Sequence, residues 1–149
     1  MHNKIIISEA TIENIPDVLK LYSQADIDND DILTVDEAQG IFEKFNRYPK
    51  YSLYVAKIDN AIIGTFELLI MDNLAHKGKP SAIMEDVIVD MNYRSQGIGK
   101  KMVEFAMEIS RKNGCYKLSL SSNLKRERAH KFYEKLGFIK HGFSYVVVL

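Results

Sequence analysis

Two periodicities alternate along the chain. Lys4 to Ser8, with Ile5, Ile6 and Ile7, reads as a strand, and Asn14 then offers an N-cap ahead of Pro16 and Asp17 in the first turn of a helix. Val18, Leu21 and Tyr22 give that helix its apolar stripe, and the acidic stretch Asp26 to Asp31 ends it. Thr34 and Glu37 form a capping box that starts a second helix through Ile41, Phe42 and Phe45. Tyr51 to Ile58 and Ala61 to Met71 are β-rich and flank Asp59-Asn60, a tight-turn signal, so they predict an antiparallel hairpin. After the loop Lys77-Gly78-Lys79-Pro80, a strand from Ser81 to Asp90 leads to a helix from about Gly97 to Lys112, with Ile98, Met102, Phe105, Ala106 and Ile109 on one face. Gly114 closes it. A strand from Cys115 to Leu120, a helix near Arg126 to Leu136 stopped by Gly137, and one or two β segments from Phe138 to Leu149 follow.

The order β-α-α-β-β-β-α-β-α-β makes the early strands a meander and places the later ones in crossover units. It predicts an α/β (α+β) fold with a mixed sheet and helices on both faces. At 149 residues the chain is the size of one domain, 1–149, able to bury about 70% of its unfolded surface, and no internal repeat or linker divides it. Basic and acidic residues balance at 20 each, which removes any net field toward nucleic acid or an anionic membrane. The run Ile5 to Ile7 is too short for a signal-peptide core and no segment approaches the ~18 apolar residues of a membrane span, so a cytoplasmic protein is expected. Cys115 is the single cysteine, which excludes an internal disulfide and a cysteine-based zinc cluster and reads as a buried structural thiol.

Candidate chemistry begins at Val87-Ile88-Val89-Asp90-Met91-Asn92-Tyr93-Arg94-Ser95-Gln96-Gly97-Ile98-Gly99-Lys100-Lys101. A strand here runs through a glycine-containing loop straight into a helix, so unpaired backbone N–H groups and the positive helix end converge where a phosphate would sit. Gly97 and Gly99 carry no Cβ to block close approach, and Arg94, Lys100 and Lys101 add positive charge. The dinucleotide-binding and NTPase phosphate-loop patterns are both absent. Alone, the segment equally describes a glycine-started helix with solvated basic residues. A second segment, Ala129-His130-Lys131-Phe132-Tyr133-Glu134-Lys135-Leu136-Gly137-Phe138, is a short amphipathic helix that, alone, describes a core tyrosine.

Together, in this order, the two segments resemble the GNAT superfamily of N-acetyltransferases. The family's acetyl-CoA motif, Arg or Gln, two residues, Gly, one residue, Gly or Ala, is met by Arg94, Gly97 and Gly99; its later helix end is met by Phe132-Tyr133 through Leu136-Gly137-Phe138. The resemblance implies a single-domain, mostly antiparallel sheet and acetyl-CoA as cosubstrate, without a metal. It implies that backbone amides from Gln96 through Gly97, Ile98 and Gly99 to Lys100 hold the pyrophosphate with Ser95 also at the cofactor, that the strand edge at Val87, Ile88 and Val89 pairs with the pantetheine arm, and that Asn123, at the end of the following strand, and Phe132 border that arm. Tyr133 matches the usual general acid, and Glu9 to Lys50 the region that usually shapes the acceptor site.

In an alternating strand Glu85 shares a face with Ile83, Val87 and Val89, so desolvation should raise its pKa and suit it to act as a base. Asp86 is the alternative, and an ordinary salt-bridge role remains open for either. A base matters because an alkylamine of pKa about 10.4 must lose a proton before attack, at a cost of ~4.6 kcal/mol at pH 7, whereas a thiol leaving group of pKa ~8.5 needs less help. The expected reaction is acetyl transfer to a primary amine, of a small molecule or of a peptide or protein, by direct attack in a ternary complex. A coenzyme A-binding sensor without turnover is the alternative. Tyr22 and Phe66 are candidate acceptor contacts, the acidic stretch is a solvated loop or, if it borders the acceptor cleft, favours a cationic acceptor, and the apolar end Tyr145 to Leu149 would permit a homodimer through an exposed or exchanged strand. Asp26 to Glu37 also imitates an EF-hand loop, but Asp31 stands where that loop needs glycine, so little or no calcium binding is expected.

Overall fold

A computed structural model describes residues 4–25 and 31–149, which divide after Ser119 into two compact units. Residues 26–30, most of the acidic stretch and the first part of the EF-hand-like pattern, lie outside the described residues.

The first unit is built on a five-stranded sheet in the order β1 (Ile5–Glu9), β2 (Tyr51–Ile58), β3 (Ala61–Met71), β4 (Ser81–Val89), β5 (Leu118–Ser119). All neighbours are antiparallel except β4 and β5. The β2–β3 turn forms because Asp59 takes a left-handed conformation, φ 54°, which a short polar side chain tolerates. Helix α1 (Ile15–Gln24) is entered differently from the sequence expectation. A 3-10 turn at Ile12–Asn14 precedes it, and the Asn14 side chain reaches back to accept from the Thr11 N–H at 2.9 Å instead of capping α1. Helix α2 (Val35–Lys44) starts on the expected box: the Thr34 hydroxyl accepts from the Glu37 N–H at 3.3 Å and the Glu37 carboxylate accepts from the Thr34 N–H at 3.0 Å.

Strand register assigns the two faces. Tyr54, Phe66, Leu68, Ala82 and Met84 point to one, where Phe105 of α3 (Ile98–Lys112) meets the stacked rings of Tyr54 and Phe66 at 5.3 and 6.5 Å. Leu53 and Val55 point to the other and share a core with Ile15 and Val18 of α1 and Ala38 of α2. The sheet is thus covered on both faces, as the element order implies.

The β3–β4 ladder contains a break. Thr65 pairs with Ile88 while Glu67 pairs with Glu85, so Phe66 alone faces two residues, Asp86 and Val87. Asp86 is left-handed, φ 49°, and the extra residue makes a β-bulge that shifts the alternation by one. Glu85 therefore shares its face with Ile83 and Ile88, not with Val89 as uninterrupted alternation predicts.

Strand β5 is shorter than the expected Cys115 to Leu120. The Cys115 N–H is spent on the Ser110 carbonyl at 3.0 Å, closing α3 past left-handed Gly114, so pairing with β4 covers only Ala82↔Leu118 and Ile83↔Ser119. Cys115 is partly buried in that connection rather than within a strand, and burial pushes its thiol up, away from nucleophilic reactivity.

The second unit carries α4 (Glu127–Lys135), ended where left-handed Gly137, φ 95°, lets the Phe138 N–H reach the Tyr133 carbonyl at 3.1 Å. The β segments expected within Phe138 to Leu149 do not form. Apolar character records a preference for strand but supplies no partner ladder, and Tyr145, Val146, Val147, Val148 and Leu149 are at least 77% exposed. No helix among the described residues is long and apolar enough to cross a membrane.

Gly64 lets α3 approach β3 closely, since a Cβ there would lie 2.8 Å from the Met102 sulfur and 3.2 Å from the Ile88 carbonyl oxygen. Gly64→Ala should lower stability by about 1–3 kcal/mol through overpacking, read from the midpoint of urea unfolding. An unchanged midpoint would refute the close approach.

Candidate active site

Strand β4 ends at Val89, and the chain is caught immediately afterwards. The Asp90 N–H donates to the Ile63 carbonyl at 2.8 Å, and the Asp90 carboxylate accepts the Asn92 N–H at 2.8 Å, capping a 3-10 turn over Met91–Tyr93. Gln24, the last residue of α1, clamps the same point: its amide donates to Asp90 Oδ2 at 3.1 Å and accepts from the Met91 N–H at 3.0 Å. Arg94 folds back onto the Val89 carbonyl at 3.4 Å, and the Gln96 side chain donates to the Asn92 carbonyl at 3.3 Å.

Beyond this clamp the backbone turns left-handed at Ser95, φ 61°, and again at Gly97, φ 81°. The first α3 hydrogen bond runs from the Lys101 N–H to the Gly97 carbonyl at 3.1 Å, so the N–H groups of Ile98, Gly99 and Lys100 lie ahead of it at the helix start. A Cβ on Gly97 would meet nothing within 4 Å, so this glycine answers to its backbone angle and borders open space. The result is a cradle of amide donors at the positive end of a 15-residue helix, a setting for phosphate oxygens. Gly99 lies inside the first helical turn, and Lys100 pairs with Glu104 at 3.8 Å.

Upstream, Glu85 is largely exposed. Its carboxyl is nonetheless held above the ordinary carboxylate range, first by desolvation and then by the negative charge of Asp86, the direction expected from the sequence. Ile88 is buried, whereas Val87 and Val89 are half-buried. Phe66, a candidate acceptor contact, is fully buried in the core beneath α3 and offers no surface to a substrate. Tyr22 is half-buried, and its phenol is pushed far up by burial and by the charge of Glu67.

In the second unit Asn123 lies in the loop before α4, not at a strand end. Its Oδ1 accepts the Lys125 N–H at 2.9 Å, and its carbonyl accepts from the Arg126 N–H at 3.0 Å and lies 2.8 Å from His130 Nε2. Tyr133 packs edge-on against Phe132 and Phe138, with centroids 5.1 and 5.6 Å away. Burial raises its phenol above the ordinary tyrosine value, and the charge of Arg126 opposes the rise.

Sequence reasoning missed three polar residues. Glu67 is a half-buried carboxylate in β3 that accepts a hydrogen bond from the Tyr51 hydroxyl, and Gln24 forms the clamp on Asp90 and Met91. One signal for Glu67 was available, a lone charge between apolar neighbours in the middle of a strand. Tyr51 and Gln24 gave none, because their partners lie 16 and at least 66 residues away.

Residues 15–138 match the sequence pattern of the Acetyltransferase (GNAT) family. A curated relative, glucosamine 6-phosphate N-acetyltransferase of Trypanosoma brucei brucei, is 42% identical over 80 residues, which are 54% of this chain and 52% of that protein. Aminoalkylphosphonate N-acetyltransferase of Salmonella typhimurium is 29% identical over 101 residues, 68% of this chain and 65% of that one. The chain thus spans about half the length of the trypanosomal relative. Among solved structures, a putative acetyltransferase from Agrobacterium tumefaciens str. C58 superposes with a TM-score of 0.90 at 28% identity, covering 97% of this chain and 99% of that one. An acetyltransferase from Trypanosoma brucei superposes with a TM-score of 0.85 at 28% identity, covering 98% and 100%. On sequence and fold together, the chain belongs to the Acetyltransferase (GNAT) family.

Proposed function

We propose that residues 1–149 act as one acetyltransferase domain, transferring acetyl from acetyl-CoA to a primary amine by direct attack in a ternary complex. The amide cradle from Ser95 to Lys100 carries this reading, because its left-handed turns and open border fit a pyrophosphate. In it the amides of Gln96 to Lys100 hold the pyrophosphate, with Arg94 beside them. The edge of β4 at Val87, Ile88 and Val89 takes the pantetheine arm as an added strand, which the short β4–β5 ladder supports. Asn123 and Phe132 border that arm. Tyr133 gives a proton to the departing thiolate, and the base lies among the carboxylates beside the bulge, where the sequence puts Glu85 first and Asp86 second.

The acceptor proposed is a small primary amine, of the amino sugar phosphate or aminoalkylphosphonate kind for which the trypanosomal and Salmonella relatives are named. A peptide or protein amine is the alternative. The reaction so drawn calls on no metal. A coenzyme A-binding sensor would share the cradle but release no thiol when offered amines.

Gly97→Val forces a β-branched residue to φ 81° and puts methyl groups into the open border of the cradle. Calorimetry should show coenzyme A affinity lost while circular dichroism stays native; unchanged affinity in a folded variant refutes the cradle.

Tyr133→Phe should keep coenzyme A affinity and lower turnover by about 10² to 10⁴. A general acid works while protonated, and burial raises this phenol, so the alkaline loss of wild-type activity should fall above the ordinary tyrosine range and vanish in the variant. Equal rates and equal pH profiles would make Tyr133 a packing residue.

A homodimer is part of the proposal, supported by the exposed apolar end Tyr145 to Leu149. Sedimentation should show a dimer that Val147→Asp dissociates, and a monomeric wild type would remove it.

A further inference from the structure

We propose that Glu67 takes the proton from the acceptor ammonium, and that Tyr51 holds its carboxylate in place for that step. The proposal rests on the acetyl-transfer reading above and names the base that reading leaves among neighbouring carboxylates.

Its position sets Glu67 apart. The residue sits mid-strand in β3 between Phe66 and Leu68, which are 0% and 2% exposed, and it pairs directly across the ladder with Glu85. Two carboxylates opposed on one sheet face cost stability, and the bulge adds a third, Asp86, on the adjoining residue. Such a local conflict in an otherwise consistent strand marks a place where function has overridden folding preference.

The groups that face Glu67 come from three elements: Tyr22 from α1, Tyr51 from β2, and Glu85 and Asp86 from β4. The Tyr51 hydroxyl donates to Glu67 Oε2, and the Tyr22 phenol lies beside the carboxylate. A carboxylate anchored by a hydroxyl donor keeps further lone pairs for an ammonium proton and loses the rotamer freedom of an exposed glutamate. Burial raises its proton affinity, as do the charges of Asp86 and Glu85, while the hydrogen bond from Tyr51 opposes the rise. Glu85, in contrast, is exposed and has Asp86 as the one charge that shifts it. Its role is then to tune Glu67.

In the step, Glu67 accepts one proton from R–NH3⁺, and the freed lone pair forms the N–C bond to the acetyl carbonyl. On collapse the C–S pair leaves with sulfur. Tyr133 protonates that sulfur and is reprotonated from the amide nitrogen, while Glu67 returns its proton to water. One proton is released per acetyl transferred.

The test compares pH profiles of kcat/KM for glucosamine 6-phosphate, with acetyl-CoA saturating, and follows carboxyl titration by ¹³C NMR in the unliganded protein. Glu67→Gln keeps an acceptor for the Tyr51 hydroxyl, so the fold should survive. It should lower kcat/KM by about 10² to 10⁴, erase the acid limb and leave acetyl-CoA affinity unchanged. Tyr51→Phe removes a hydrogen bond that favours the charged form, so the acid limb should move to higher pH. Glu85→Gln removes a repelling charge, so a limb should persist and move to lower pH. In NMR the Glu67 carboxyl should titrate above the ordinary glutamate value. An active Glu67→Gln protein that keeps its acid limb, or a limb erased by Glu85→Gln, overturns the proposal and leaves acetyl transfer standing. A wild type that binds acetyl-CoA but acetylates no amine overturns both.

Discussion

Antiparallel pairing between β3 and β4 cannot run straight through residue 86, because Phe66 faces two residues there and Asp86 is left-handed. Much of the candidate site depends on this interruption. Glu85 pairs with Glu67 in the regular stretch before it, and past it Ile88 and Val89 re-enter the ladder with exchanged sides. An unbroken strand would have kept Glu85 with Val89. The stability lost in a disrupted ladder and opposed carboxylates is offset by the core on the α3 face, where Phe66, Met84, Met102 and Val103 are at most 1% exposed.

Helix α1 ties this carboxylate group to the cradle. Tyr22 lies beside Glu67, and two residues later Gln24 clamps Asp90 and Met91 at the start of the loop that leads into α3. One rigid element therefore positions both the proposed proton acceptor and the entry to the proposed pyrophosphate site. On the opposite face α3 is held close to β3 by Gly64, so the helix whose first turn forms the cradle is seated by packing as well as by the loop. Such support from rigid elements is what a preorganised site requires.

Local signals in the sequence were the most readable. The β2–β3 hairpin, the Thr34–Glu37 box and α3 each follow from residues close together in the chain, and both family motifs lie within contiguous segments. The departures share a cause in long-range partners. Asn14 caps backward to Thr11, where a cap ahead of Pro16 was expected. The bulge carries no glycine to announce it, since Asp86 takes the left-handed angle itself. Glu67 shows in the sequence only as a lone charge between apolar neighbours, because Tyr22, Tyr51 and Glu85 come around it from three other elements. The stretch after Phe138 has the composition of a strand, but composition names no neighbour to pair with.

The central claim is that the cradle and the carboxylates beside the bulge serve one reaction, acetyl transfer to an amine. Its most direct measurement is thiol release from acetyl-CoA by the wild-type protein across a panel of primary amines, with acetylated product confirmed by mass. The account predicts amine-dependent release matched one for one by N-acetylated product. Coenzyme A bound with normal affinity but no amine-dependent release on any acceptor would contradict it, and would leave the chain a binding module of the same family.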